Sequence, residues 1–101
     1  MRLIVFFDLP SVTKKDLMEY RRFRKFLIKN GFIMMQESVY SRLVLNNNST
    51  KLLKNQLKKN LPSAGLVQVM QITEKQFNDI EYLIGKGQCK IIDSMDRVVQ
   101  I

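Results

Sequence analysis

Residues 1–10 read Met1-Arg2-Leu3-Ile4-Val5-Phe6-Phe7-Asp8-Leu9-Pro10, and the architecture turns on this segment. Leu3 to Phe7 are apolar at consecutive positions and rich in β-branched and aromatic side chains. Successive side chains of a strand point to opposite faces, so the run predicts a strand buried on both sides and central in its sheet. Asp8-Leu9-Pro10 stops it. Beyond the stop, Ser11 and Thr13 offer cap oxygens, and Asp16 follows Thr13 at the electropositive start of a helix. That helix should run to about Asn30, where Gly31 ends it. Leu17, Tyr20, Phe23, Leu27 and Ile28 share one face of it, expected to pack on the sheet.

Residues 32–35 and 38–45 are extended segments separated by Gln36-Glu37, either one long strand broken by a bulge or two strands joined by a very tight bend. Asn46-Asn47-Asn48-Ser49-Thr50 is a polar turn capping a second helix, with Leu53 and Leu57 inward and Pro62 and Gly65 closing it. Residues 66–72 read as another strand, 73–77 as one helical turn, 80–84 as a further short strand, 85–88 as a loop and 97–101 as an extended tail. Strand, helix, strand, strand, helix, strand is the ferredoxin-like β-α-β-β-α-β order, an α+β sandwich with both helices on one face of an antiparallel sheet. The chain of 101 residues is expected to form this single domain over 1–101. Because the first strand is apolar on both sides, the helix-free face also needs cover. A two-fold homodimer with sheets facing each other, its C-terminal strand crossing to the partner's edge, supplies that cover; a tail folded back over its own sheet is the alternative.

Composition narrows the function. Apolar residues make up 46% and charged residues 26%, as in globular domains rather than disordered chains. Residues 1–60 carry 13 basic against 4 acidic side chains, and 61–101 carry 4 against 5, so the net +8 is local. A field so placed points to a polyanion, and nucleic acid fits better than a membrane because no lipid-anchor signal accompanies it. No apolar run approaches membrane-spanning length and the first residues lack a cleavage site, so a cytoplasmic location is expected. Histidine is absent, which excludes imidazole bases, Ser-His and Cys-His pairs and mixed Cys/His zinc sites. Cys89 is the single cysteine, reading as an incidental small side chain.

Two constellations remain. On the first helix Lys14, Lys15, Arg22, Lys25 and Lys29 fall in one arc opposite Phe23 and Leu27, and Lys15, Arg22 and Lys29 repeat every seven residues over about 21 Å. Lys51, Lys54 and Lys58 repeat the device on the second helix, with Lys59 beside them. These ridges suit phosphate contact that follows charge and shape rather than bases. Arg21 and Arg24 lie nearer the apolar arc, as anchors or as further phosphate contacts. The second constellation is a single acid. Asp8 sits at the C-terminal end of a buried strand beside the expected two-fold axis, where two symmetry-related carboxylates could hold Mg²⁺. Otherwise it is a turn aspartate accepting from the amides of residues 9–11.

Phe7-Asp8-Leu9-Pro10, Tyr20-Arg21-Arg22-Phe23-Arg24-Lys25-Phe26-Leu27, Asn30-Gly31-Phe32, Gln36-Glu37-Ser38-Val39-Tyr40-Ser41 and Thr73-Glu74-Lys75-Gln76-Phe77, in that order, closely resemble the small CRISPR-associated adaptation protein, in particular its type II-A form. The resemblance implies a ferredoxin-like homodimer that bridges two dimers of the CRISPR integrase and holds double-stranded protospacer DNA for insertion into the repeat array. It further implies Mg²⁺-dependent endonuclease activity on single-stranded RNA or double-stranded DNA, with Asp8 as metal ligand and catalytic residue. Glu37 adds a negative charge near the expected phosphate path, and residues 85–96 match the pattern least. A free-standing endoribonuclease toxin of the VapD-like group and a nucleic-acid-binding module without catalysis are the competing readings.

Overall fold

The computed structural model describes residues 1–85. They form seven elements in the order β1 (Arg2–Asp8), α1 (Lys14–Lys29), β2 (Ile33–Gln36), β3 (Val39–Leu43), α2 (Asn47–Lys59), β4 (Leu66–Ile72) and α3 (Glu74–Asn78). The strands make one antiparallel sheet in the order β2-β3-β1-β4, which is the ferredoxin-like arrangement. β1 is central, with Val5 opposite Tyr40 of β3 on one side and Val69 of β4 on the other. The two alternatives for residues 32–45 both contribute: β2 and β3 are separate strands joined by a turn at 37–38, and a bulge between Met34 and Gln36 shifts their register.

The alternation of β1 sorts its side chains. Leu3, Val5 and Phe7 enter the core with Phe23 and Leu27 of α1, Tyr40 of β3, and Leu53 and Leu57 of α2. Both helices therefore lie on that face, as the apolar stripes at 23/27 and 53/57 require. α1 starts where the sequence placed it: Thr13 Oγ1 accepts from Asp16 N at 3.1 Å while Thr13 N donates to Asp16 Oδ2 at 3.1 Å, a reciprocal capping box. Asn46 caps α2 by accepting from Ser49 N at 2.9 Å. Gly31 leaves α1 at φ +87°, a left-handed conformation that favours glycine.

Ile4 and Phe6 point to the opposite face, where their cross-strand neighbours are Ser41 and Met70, and Val39 and Gln68. Ile4 is buried and Phe6 half-buried, yet the surrounding Ile33 (62% exposed), Leu43 (50%), Leu66 (55%) and Met70 (47%) leave an apolar surface without a helix over it. α3 covers only one end of this face. It is held there by Arg2, whose guanidinium stacks 4.2 Å from the Phe77 ring centroid and donates to Glu74 Oε2 at 2.9 Å.

Two expectations are corrected. Leu17 and Ile28 do not join the buried face of α1; they sit at its rim, 37% and 49% exposed, because the sheet beneath is covered by Phe23 and Leu27. Residues 80–84 do not form a strand. The Thr73 capping box turns the chain into α3 directly after β4, and residues 80–84 follow as irregular, exposed backbone paired with no strand edge among the described residues. The loop at 86–88, Cys89 and the extended segment 97–101 lie outside the described residues. Phe23 is fully buried and meets the Phe7 ring edge-on at 5.3 Å. Phe23→Ala should cost about 3–5 kcal/mol in urea unfolding; an unchanged midpoint would contradict this core.

Candidate functional site

Phe7 determines where Asp8 stands. Its ring packs edge-on against Tyr20 at 6.0 Å and Phe23 at 5.3 Å and stacks on Tyr40 at 5.7 Å, while its amide donates to Ser38 O at 3.0 Å. With Phe7 fixed inward, the alternation of β1 turns Asp8 to the helix-free face, opposite Leu66 of β4. Asp8 is exposed. Gly65 crosses so close that a Cβ there would lie 2.7 Å from Asp8 O, which makes glycine obligatory beside the acid. Among the described residues no hydrogen bond reaches the Asp8 carboxylate, so the turn-aspartate role, with amides of residues 9–11 as donors, is not what occupies it in this structure.

An uncommitted carboxylate at a strand end suits a hard divalent cation, since Mg²⁺ takes one or two carboxylates and keeps several waters. One protomer supplies only part of such a site: among the described residues no group of three or more acidic or Cys/His side chains could hold a metal ion. The donor set fits the cation if a second Asp8 is brought up across the exposed apolar face on which the first one stands.

The helices carry the basic residues outward. Lys14, Lys15, Arg21, Lys25 and Lys29 on α1, and Lys51, Lys54 and Lys58 on α2, are all exposed, with Lys59 exposed beside them. Arg22 belongs to the same arc but is engaged within the fold. Its guanidinium donates to Leu61 O at 3.1 Å and Asn60 O at 3.4 Å, just past the end of α2, and pairs with Glu19 Oε1 at 3.2 Å. Glu19 Oε1 also accepts from Ser63 N at 3.2 Å. Arg24 is an anchor, its Nε donating to the buried Tyr40 hydroxyl at 2.9 Å. With Arg21 it borders a shallow cleft of about 390 Å³ that Leu17, Tyr20, Met34 and Glu37 complete. Glu37 is exposed on the hairpin at the mouth of that cleft, off the outer faces of the helices. Helical periodicity alone could place Arg22 on the wet side but could not reveal its partners, because Asn60, Leu61 and Ser63 are some forty residues away in sequence.

Comparison with known proteins bears on the family and the fold. The family model described as CRISPR associated protein Cas2 matches residues 1–80. The chain is 46% identical over 99 residues to a CRISPR-associated endoribonuclease Cas2 of Treponema denticola, covering 98% of each chain. It is 44% identical to a protein of the same description from Streptococcus mutans, covering 98% of this chain and 91% of that one. Among solved structures, Streptococcus pyogenes Cas2 superposes with a TM-score of 0.65 at 18% identity, over 82% of this chain and 99% of that one, a likeness of fold.

Glu19 titrates below its ordinary value, chiefly through the hydrogen bond from Arg22 and then that from the Ser63 amide, against a smaller opposing effect of burial. A carboxyl depressed in the folded state stabilises above its unfolded pKa and loses that contribution as pH falls through the folded one. Glu19→Gln should therefore lower the thermal midpoint at neutral pH, and the gap from the parent should close as the pH drops below the ordinary carboxylate range. A gap that is constant with pH would contradict the ionised pair.

Proposed function

The chain belongs to the CRISPR-associated Cas2 family, and from that premise we propose that it is a homodimeric scaffold of spacer acquisition, binding double-stranded protospacer DNA and bridging dimers of the CRISPR integrase. The observation that carries this reading is the division of the molecule into two surfaces. One side of the sheet is apolar and uncovered, suited to a second copy of the chain; the other carries the two long helices, with eight exposed lysines between them. Pairing of the uncovered sheets turns the cationic helices of both protomers outward, doubling the length of phosphate backbone they can follow. Such contacts grip the duplex without reading its bases, as a protein that must accept any protospacer requires.

The same pairing supports a second activity. It would set the two Asp8 carboxylates near one axis, where they could hold Mg²⁺; when bound, the cation activates water and offsets charge on a phosphodiester. Asp8 would then be the metal ligand and catalytic residue of an endonuclease acting on single-stranded RNA or double-stranded DNA. The relatives' description as endoribonucleases accords with this. The scaffold itself needs only the dimer and the basic helices.

Duplex affinity should fall with salt on a log-log slope of about −0.9 per phosphate neutralised, and a flat profile would remove the basic ridges from the account. Replacing Lys15, Lys25 and Lys29 together by Glu should abolish duplex retention in a gel-shift assay with the circular-dichroism spectrum unchanged. Asp8→Ala should eliminate Mg²⁺-dependent cleavage yet still assemble with integrase and duplex. Cleavage by that variant at the parent's rate would make Asp8 structural, and RNA cutting without assembly would favour a free-standing nuclease.

A further inference from the structure

We infer that Arg22 and Glu19 form a strut that sets the spacing of the two cationic helices, so that Arg22 serves duplex binding as a positioning residue rather than as a phosphate contact. The inference rests on the proposed binding of DNA by these helices. It starts from what the Arg22 guanidinium touches: Asn60 O, Leu61 O and Glu19 Oε1, all between 3.1 and 3.4 Å. Asn60 is the C-cap of α2, its own amide bonded to Leu57 O and its side chain to Gln56 O, so the carbonyls of Asn60 and Leu61 lie beyond the last helical turn. A planar guanidinium spanning two such carbonyls neutralises the negative end of the helix and fixes its position relative to the donor's helix.

Glu19 closes the connection. One turn before Arg22 on α1, its Oε1 takes both the guanidinium and the amide of Ser63, so the segment 60–63 between α2 and β4 is held at both ends of the pair. Lys58 and Lys59 stand in the last turn of α2, one to three residues from the carbonyls Arg22 grips, while Lys15, Lys25 and Lys29 stand on α1 within two turns of Arg22. The strut thus joins the two basic ridges where α2 ends. Phosphates along a duplex are regularly spaced, and two ridges engage them together only if the distance between the ridges is fixed.

This assignment explains an acid in the basic face. Were Arg22 a direct phosphate ligand, Glu19 would oppose binding, and removing its charge would tighten the complex. In a strut, losing Glu19 unties the Ser63 amide and leaves Arg22 held by the two carbonyls alone, and binding weakens even though a negative charge has gone.

The test measures affinity for a DNA duplex of unrelated sequence, across a salt series, for the parent, Arg22→Ala, Arg22→Lys, Glu19→Ala and the Arg22→Ala/Glu19→Ala pair. Circular dichroism confirms folding at the assay temperature, and Glu19→Ala is the mild variant should Arg22→Ala unfold. Each single change is expected to weaken binding roughly tenfold, and the double change no more than either single one. The salt slope should shrink by more than the ~0.9 that one lost phosphate accounts for, and Arg22→Lys, which cannot span three acceptors, should not rescue it. Tighter binding by Glu19→Ala with a one-phosphate loss in Arg22→Ala would make Arg22 a direct contact and overturn the strut. Undiminished affinity in folded variants would reduce the pair to a purely structural role and overturn it equally. A parent whose binding ignores salt would instead bring down the DNA-binding reading, and the inference with it, a failure visible before any variant is compared.

Discussion

Everything in this fold follows from a central strand that has no wet side. β1 is flanked by β3 and β4, so its backbone is saturated by neighbours, and its run from Leu3 to Phe7 places apolar groups alternately above and below the sheet. One set is consumed by the helices: Leu3, Val5 and Phe7 meet Phe23, Leu27, Leu53 and Leu57. The other set, Ile4 and Phe6, has no helix above it and lies among Leu43, Leu66 and Met70, whose apolar surface is exposed. A domain of this size leaves about a third of its unfolded surface in water, and an apolar sheet face within that fraction is a surface suited to cover by another protein.

The same alternation ties the position of Asp8 to the core. Phe7 is locked among three aromatic rings, and the next residue, Asp8, is thereby delivered to the uncovered face. No separate loop is needed to aim the acid. Gly65 admits β4 close enough to hold the end of β1 in place, so the position of Asp8 is a consequence of packing rather than of hydrogen bonds to its carboxylate. On the far side, helices whose inner stripes are apolar must be polar outside, and this chain fills that outer surface with lysine and arginine almost without acids. Glu19 is an exception, and its position on Arg22 shows that the acid is spent inside the protein.

Much of this was legible in the sequence. The caps at Thr13 and Asn46, the glycine stop at Gly31 and the strand at 66–72 are local chemistry, decided by residues within a turn or two of one another. The long-range consequences were less so. Arg22 looked like one more member of a seven-residue repeat because its carbonyl partners come from the far end of another helix. Leu17 and Ile28 looked buried because helical periodicity gives a direction and not a depth. Residues 80–84 read as a short strand in isolation, but a strand forms only where an edge is offered, and α3 has by then led the chain off the sheet.

Pairing of two copies through their uncovered sheet faces is what the proposed dimer and its doubled basic surface both require. Sedimentation equilibrium of the purified chain at micromolar concentration, compared with Met70→Glu, tests it directly: Met70 is on that face, opposite Ile4, and takes no part in the core beneath the helices. The parent should sediment at twice its 11.9 kDa mass and the folded variant at the monomer mass. A monomeric parent, or a charge in the middle of the face that leaves the dimer intact, would contradict the account.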